Sequence, residues 1–296
     1  MTRSCVALLT LFLLPAAAQA QQRADAKYDP HLKLPAYAAA GPVIAVDSAH
    51  ANFHTLEGKY APFGELLTAD GYRVRSSAAH FSAQALAGVN VLVIANARSP
   101  AAGASAFTAD EIAAVRDWVA DGGSLLLISD HAPFGTAASR MSEAFGVNMG
   151  VGYVAVREGG RVGSQIHFDR RELGAHAIIA GRDKSETVRS VESFTGQSLS
   201  IPPGATALLA LPPDALEAAS SDDIRELARG GRAQARSAAG RAQAVALPFG
   251  KGRVVIAGEA AMFTEQIVPS VGKVGLRSAD DQQFALNVLH WLSHLL

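Results

Sequence analysis

The chain has 296 residues, with 26 lysines and arginines against 27 aspartates and glutamates. This near-neutral balance excludes a general electrostatic attraction to nucleic acid or to an anionic membrane. The one cysteine, Cys5, lies in a segment that we expect to be removed. The mature chain then has no residue for a disulfide, a cysteine-ligated metal or a thiol nucleophile.

Residues 1–20 have the pattern of a secretory signal peptide. Arg3 gives a positive start, an apolar run follows, and a small-x-small motif precedes the expected cleavage before Gln21. The run is shorter than the ~20 apolar residues of a spanning helix, which favours a signal peptide over an uncleaved anchor. No later segment reaches the ~18 uninterrupted apolar residues of a membrane span. We therefore expect a periplasmic or secreted protein without a transmembrane segment after cleavage.

The first half of the mature chain alternates between apolar runs and segments with helical spacing. Residues 21–40 are a polar leader. Continuous apolar runs and one shorter β-rich segment predict strands at 42–47, 72–76, 89–96 and 124–130. Helical spacing predicts helices within 59–72 and 108–123, and Thr108 with Glu111 forms a capping box at the start of the second.

The second half is less regular. Residues 141–147 have a helical pattern, strands are predicted at 152–156, 164–169, 205–211 and 252–259, and a closing helix is predicted at 280–296. Residues 214–243 are biased towards alanine, arginine and glycine, which indicates a solvated insertion or mobile loop. This stretch has no aromatic residue, so it does not predict a nucleic-acid contact. We expect a single α/β domain over 41–296 that carries this insertion.

Polar residues follow the predicted strands at their carboxyl ends. Strands that alternate with helices at short spacing predict βαβ units and a mostly parallel sheet. Ligands bind beyond the carboxyl ends of such strands, which all lie at one edge. The residues at these ends are Asp47, Asn96, Asp130 with His131, and Glu259, and the loop after the first strand adds His50, Asn52, His54 and Thr55.

Three interpretations of this set remain open. A divalent metal such as zinc could be held by His50, His54 and His131 with Asp47 or Asp130, and would acidify a bound water. Alternatively, the carboxylates and imidazoles act as acid and base without a metal; these candidate catalytic residues are Asp47, His50, His54, Asp130, His131 and Glu259. The third interpretation is that the groups hydrogen-bond one another and fix the loops.

Further residues are assigned by their position. Asn52, Thr55 and Asn96 are candidate substrate contacts beside the acidic and imidazole groups. His290 and His294, near the end of the closing helix, are expected to be favourable surface charges. The chain has no P-loop and no G-x-G-x-x-G motif, which argues against a nucleotide or dinucleotide cofactor.

A resemblance to a known family rests on six motifs: VDSAHANFHT, GKYAPFGELLTADGYRV, VLVIAN, FTADEIAAVRDWVADGGSLLLISDHAPFG, GKGRVVIAGEAAMFT and DDQQFALNVLHWL. They resemble the bacterial DUF4350 proteins of the class I glutamine amidotransferase-like superfamily, whose relatives include gliding-motility and intraflagellar-transport (GIFT-type) domains. The similarity runs from about residue 41 to 294 and is weakest over 150–245. It implies a flavodoxin-like three-layer sandwich and polar site positions at Asp47, His50, Asn52, His54, Asp130, His131 and Glu259.

The resemblance also sets a limit on the activity. True amidotransferases of this superfamily use a cysteine at a strand-to-helix elbow, and the mature chain has none. Two hypotheses follow. The first is a hydrolase of a small polar or carbohydrate substrate, which predicts a pocket at the strand ends that holds several of these groups. The second is a non-catalytic ligand-binding or scaffold domain, which predicts polar groups that satisfy one another and no vacant pocket.

Overall fold

The computed structural model describes residues 22–32, 34–268 and 272–296; the predicted signal peptide lies outside them. Within these ranges the six helices are α1 (Ala61–Ala69), α2 (Ala109–Ala120), α3 (Phe134–Glu143), α4 (Ala177–Ala180), α5 (Ser221–Ala228) and α6 (Asp281–Leu292), with a 3-10 turn at Ala261–Phe263. None of the described helices has the length and apolar character needed to cross a membrane.

The strands fall into one large sheet and several small ones. In chain order they are β1 (Arg23–Ala24), β2 (Val43–Asp47), β3 (Arg73–Ser77), β4 (Val91–Ala95), β5 (Ser124–Ile128), β6 (Tyr153–Glu158), β7 (Arg161–Gly163), β8 (Gln165–Phe168), β9 (Val191–Phe194), β10 (Thr206–Ala210), β11 (Leu216–Ala218), β12 (Ala235–Ser237), β13 (Ala242–Phe249), β14 (Gly252–Ala257), β15 (Glu265–Val268) and β16 (Gly272–Gly275).

The large sheet has seven strands in the order β10-β13-β14-β5-β4-β2-β3. The five strands from β14 to β3 are parallel, and β13 and β10 extend the sheet in antiparallel pairing. The expectation of a mixed α/β protein with a mostly parallel sheet is confirmed. Strand β13 was not predicted, because its alanine-rich sequence has weak β-propensity and continues the biased stretch before it.

Helices cover both faces of the large sheet. Alternate strand residues point to opposite faces, so Ile44 and Val46 join one hydrophobic cluster and Ala45 joins the other. The first cluster receives the apolar faces of α1 and α6, and the second receives those of α2 and α3. Strands β4 and β5 are buried along their whole length as a result.

The biased stretch at 214–243 is folded, in contrast to the mobile loop that its composition indicated. It forms β11, α5 and β12, and β11 pairs with both β12 and β6 in a separate four-stranded sheet. Glu217 in β11 is buried and forms an ion pair with Arg236 in β12 at 2.8 Å. One of the arginines that made the stretch look solvated therefore pairs with a buried carboxylate.

The closing helix is joined to the end of the first helix by a buried side-chain hydrogen bond. His290 Nε2 lies 2.7 Å from Asp70 Oδ2, and both side chains are almost fully buried. The prediction that His290 is a surface charge is therefore wrong, because its ring faces the C-terminal end of α1 rather than solvent. This contact joins the two helices on the sheet face that both of them cover.

Candidate functional site

The polar strand ends lie at one edge of the large sheet. Asp47 is the last residue of β2, Asn96 follows β4 directly, and Asp130 and Glu259 come two residues after β5 and β14. All four strands are parallel, so their carboxyl ends share the edge. At this edge the polar residues form two groups, which have different surroundings.

The first group is the His50 cluster, which we define as Asp47, His50, His80 and Glu111. His50 is buried, and its Nδ1 lies 2.9 Å from Asp47 Oδ2. Its Nε2 lies 2.8 Å from Glu111 Oε1. Asn52 donates its amide to Asp47 at 3.0 Å and to the Ala95 carbonyl at 3.2 Å. Both ring nitrogens of His50 thus have carboxylate partners.

Glu111 reaches this cluster from the N-terminus of α2. It is the third helical residue of the predicted capping box, and its Oε2 accepts hydrogen bonds from both the backbone and the hydroxyl of Thr108 at 2.9 Å. Its other oxygen faces His50 and also His80, whose Nδ1 lies 2.8 Å away. Sequence analysis identified Glu111 only as a capping residue and missed both of its contacts with histidines.

The titratable side chains of His50 and Glu111 shift each other's pKa values. Burial alone would lower the pKa of His50, but the hydrogen bonds and charges of Asp47 and Glu111 outweigh burial and raise it. Burial would raise the pKa of Glu111, but the hydrogen bonds from Thr108, His50 and His80 lower it to about 2. The cluster therefore favours the protonated form of His50 and the ionised form of Glu111.

The second group lines a cavity of about 460 Å³, which we call the strand-end cavity. It brings together His54, Asp130, His131 and Glu259 from three different loops. Aromatic rings form part of its wall: Phe53, Phe134 and Phe194. Phe53 stacks on Phe134 with ring centres 5.6 Å apart and is 37 % exposed. A concave site with apolar walls and a few converging polar groups is the usual form of a small-molecule site.

Asn96 fixes the orientation of His54 in this cavity. Its Oδ1 accepts the backbone N–H of Asp130 at 2.8 Å, so its amide nitrogen donates to His54 Nδ1 at 3.0 Å. The ring proton of His54 is then on Nε2, which has no hydrogen-bond partner among the described residues. Burial, together with the charge of Lys59, lowers the pKa of His54 to about 3, so the ring is neutral at pH 7.

Asp130 and Glu259 are two carboxyl groups of the cavity with different hydrogen bonding. Asp130 Oδ1 accepts the backbone N–H of His131 at 2.8 Å, whereas Oδ2 has no partner within the described part of the chain. Both oxygens of Glu259 accept backbone N–H groups, from Ala261 at 2.7 Å and Met262 at 2.9 Å. Burial raises the pKa of Asp130, and burial together with the charge of Asp130 holds the pKa of Glu259 well above its usual range.

One ring nitrogen of His131 has no hydrogen-bond partner among the described residues. Its Nδ1 lies 2.8 Å from the Ala132 carbonyl and therefore carries the ring proton of the neutral form. Its Nε2 lies 3.8 Å from Asp130 Oδ1, outside hydrogen-bond distance. The ring stacks on Tyr153 with centres 4.2 Å apart, and the Tyr153 hydroxyl donates to the same carbonyl at 3.1 Å. This packing leaves Nε2 as an acceptor beside the cavity.

Several predicted assignments need correction. His50, His54 and His131 do not form a metal-ligand group in the described ranges, because His50 is turned away from the cavity towards Glu111. Asp47 and His50 do not line the cavity, and neither do the predicted substrate contacts Asn52, Thr55 and Asn96. Asn52 and Asn96 are held by protein groups, and the Thr55 carbonyl accepts the N–H groups of Gly58 and Tyr60 at 3.0 Å in the turn before α1.

Comparison with known proteins gives a fold but no family. No protein-family model matches the chain, and no curated protein matches it either. The solved structure of the mmIFT52 N-terminal domain is similar over 84 % of this chain and 97 % of that one, with 16 % identity and a TM-score of 0.61. The chain therefore shares an α/β fold with that domain.

Two ThuA-like proteins are more distant neighbours. The one from Bacteroides uniformis is 14 % identical, covers 88 % of this chain and 93 % of its own, and has a TM-score of 0.44. The one from Parabacteroides merdae is 10 % identical, covers 85 % and 89 %, and has a TM-score of 0.45. At such low identity these neighbours say nothing about activity.

Proposed function

We propose that the protein is an exported hydrolase that binds a small polar or carbohydrate substrate in the strand-end cavity. We also propose that its fold is a flavodoxin-like three-layer sandwich of the class I glutamine amidotransferase-like superfamily, related to the DUF4350 proteins. The observation that carries the proposal is a set of polar atoms on Asp130, His131 and His54 at one aromatic-walled cavity, which have no hydrogen-bond partner in the part of the chain that the structure describes. A purely structural cluster would pair these atoms with one another.

The aromatic wall supports a substrate with both apolar and polar surfaces. Phe53 and Phe134 offer stacked ring surface, and His54 Nε2–H offers a neutral donor beside them. Lys59 lies over the Phe53 ring at 3.7 Å, which adds a positive charge at one side of this wall. A sugar presents C–H faces to rings and hydroxyls to polar groups, so this combination suits a carbohydrate.

Asp130 and His131 have the properties of an acid and a base. Burial raises the pKa of Asp130, which favours a protonated carboxyl that can donate to a leaving group. His131 Nε2 is placed to accept a proton from a water molecule, because Nδ1 is hydrogen-bonded to the Ala132 carbonyl. In the proposed reaction the water oxygen bonds to the substrate as the bond to the leaving group breaks. The water's proton passes to His131, and the proton of Asp130 passes to the leaving group.

Turnover of a chromogenic substrate panel tests this proposal. The mature protein is assayed with p-nitrophenyl glycosides, esters and phosphates, as wild type and as Asp130→Asn. We expect turnover of one class, and a loss in kcat of about 10²–10⁴-fold in the variant. Asp117→Asn is the matched control, because that carboxylate is 75 % exposed on α2. Activity should also fall as pH rises through the elevated pKa of Asp130.

A non-catalytic binding domain is the second candidate. It is favoured by the His50 cluster, in which predicted site residues are held by one another. Thermal-shift measurements with mono- and oligosaccharides separate the two candidates. Stabilisation without turnover, abolished by Asp130→Asn, would assign binding alone. Neither stabilisation nor turnover would overturn the proposal that the cavity is a ligand site.

A further inference from the structure

His50 is oriented in the way that proteins orient metal-binding histidines. A histidine ligand usually donates its distal ring N–H to a carboxylate or carbonyl, which fixes the ring and leaves the other nitrogen free to bind the metal. Asp47 occupies that position, with Oδ2 at 2.9 Å from Nδ1. When His50 gives up one proton to bind an ion, Asp47 keeps the remaining proton on Nδ1. The lone pair of Nε2 is then available on the side of the ring that faces Glu111.

Three ligand atoms converge at the end of this ring. His50 Nε2 and His80 Nδ1 each lie 2.8 Å from the same Glu111 oxygen, and all three atoms lie within 4.8 Å of one another. The backbone N–H of Phe81 also faces that oxygen at 3.3 Å. Two imidazole nitrogens and one carboxylate oxygen form a donor set that suits zinc and related transition metals.

The ligand atoms are held in place before any ion arrives. The second oxygen of Glu111 is fixed by the two Thr108 hydrogen bonds at the start of α2. The His50 ring packs against Phe81 and Phe107, whose ring centres lie 4.6 and 4.8 Å away. His80 has a 75 % exposed side chain, so this side of the cluster is open to an ion and to a water ligand.

We propose that His50, His80 and Glu111 bind a divalent transition-metal ion of the zinc class, with Asp47 orienting His50. The site is separate from the strand-end cavity and shares no residue with it. Asp47 and Glu111 together supply two negative charges that match the charge of the ion. A histidine binds a metal through an unprotonated ring nitrogen, so the ion and protons compete for the site.

Cobalt titration of metal-depleted mature protein tests the site directly. Co²⁺ reports bound nitrogen and oxygen ligands through its visible absorption, and Zn²⁺ then competes for the same position. We expect one equivalent of Co²⁺ that Zn²⁺ displaces. His80→Ala should weaken binding by about 100-fold or more. This exposed position tolerates truncation without unfolding, and His31→Ala is the matched control because His31 is 83 % exposed away from the cluster.

Two further measurements separate a metal site from a simple ion pair. Asp47→Asn keeps all three ligands but removes the orienting charge, so affinity should fall about 10–100-fold. Affinity should also tighten as pH rises, because the imidazoles must lose their protons. The proposal is overturned if wild type binds no stoichiometric Co²⁺, or if His80→Ala binds as tightly as wild type. Neither result depends on hydrolase activity or on Asp130.

Discussion

Two groups of polar residues lie below the same edge of the large sheet, and they are built in opposite ways. In the His50 cluster, both ring nitrogens of the histidine face buried or nearly buried carboxylates. In the strand-end cavity, His54, Asp130 and His131 each keep a polar atom without a partner among the described residues. The comparison teaches that the strand ends bring polar groups close together. Whether those groups can bind a ligand depends on whether their polar atoms already have hydrogen-bond partners in the protein.

The largest expected effect of a single substitution is in the His50 cluster. His50→Leu leaves the buried carboxylates of Asp47 and Glu111 without their cationic partner. We expect the free energy of unfolding to fall by about 3–5 kcal/mol, measured by urea denaturation of metal-depleted protein at pH 6. An equal or larger loss in His131→Leu would contradict the difference between the two groups.

The two histidines of the loop after β2 should respond to pH in opposite directions. Burial lowers the pKa of His54 from 6.5 to about 3. Below pH 6.5 the unfolded chain takes up a proton at this position and the folded chain does not. Stability is therefore lost as pH falls from about 6.5 towards 3, by about 1.4 kcal/mol per pH unit. His54→Gln should remove this slope in unfolding measurements, and an unchanged slope would show that the ring is not buried in its neutral form.

The contribution of His50 to stability has the opposite pH dependence to that of His54. The folded-state pKa of His50 is raised by Asp47 and Glu111. Its stabilisation is fully present below the unfolded value and is lost as pH rises through the folded pKa. The stability difference between wild type and His50→Leu should therefore shrink at alkaline pH. A difference that grows with pH would contradict an ion-paired imidazolium.

A smaller effect is expected at the helix cap that supports the cluster. Thr108→Ala removes the capping hydroxyl of α2 and one hydrogen bond to Glu111. It should cost about 1 kcal/mol of unfolding free energy. Thr108→Ser keeps the hydroxyl and is the matched control. If the metal proposal is right, the alanine variant should also bind Co²⁺ more weakly than the serine variant.

The smallest effect is expected in the cavity. His131→Leu gives up the hydrogen bond to the Ala132 carbonyl and part of the stacking on Tyr153. Because His131 Nε2 lies 3.8 Å from Asp130 Oδ1, outside hydrogen-bond distance, and the side chain is 27 % exposed, the free energy of unfolding should change by about 1 kcal/mol or less. Turnover of the panel substrate should nevertheless be lost. A stability loss that matches that of His50→Leu would show that His131 is held as a structural residue.

The sequence predicted the sheet edge well because parallel strands carry a strong signal. Apolar runs located β2, β4, β5 and β14, and the parallel pairing follows from their alternation with helices. The sequence patterns could not predict that His50 and His54, which lie in the same loop after β2, face different sites. Ala51 adopts a positive φ of 47°, and the Phe53 N–H bonds to the Asn96 carbonyl at 2.9 Å. These two features turn His50 and His54 to different sides.

Long-range partners were also beyond the sequence patterns. Glu111 is separated from His50 by 61 residues, and its capping role already accounted for its presence in α2. His290 lies near a helix end, where a surface charge is the ordinary expectation. Its burial depends on where α6 docks against α1, which periodicity within one helix does not specify. Both cases required the tertiary structure.

The hydrogen bond between Asp70 and His290 also affects when the fold can be completed during synthesis. The two residues are 220 positions apart, so at about 5–20 residues per second the ribosome makes the histidine roughly 10–40 s after the aspartate. Throughout that interval α1 and the sheet face beneath it lack the cover of α6. The contact at the end of α1 therefore forms only after residue 290 has been made. Removal of α6 should leave Asp70 without this partner.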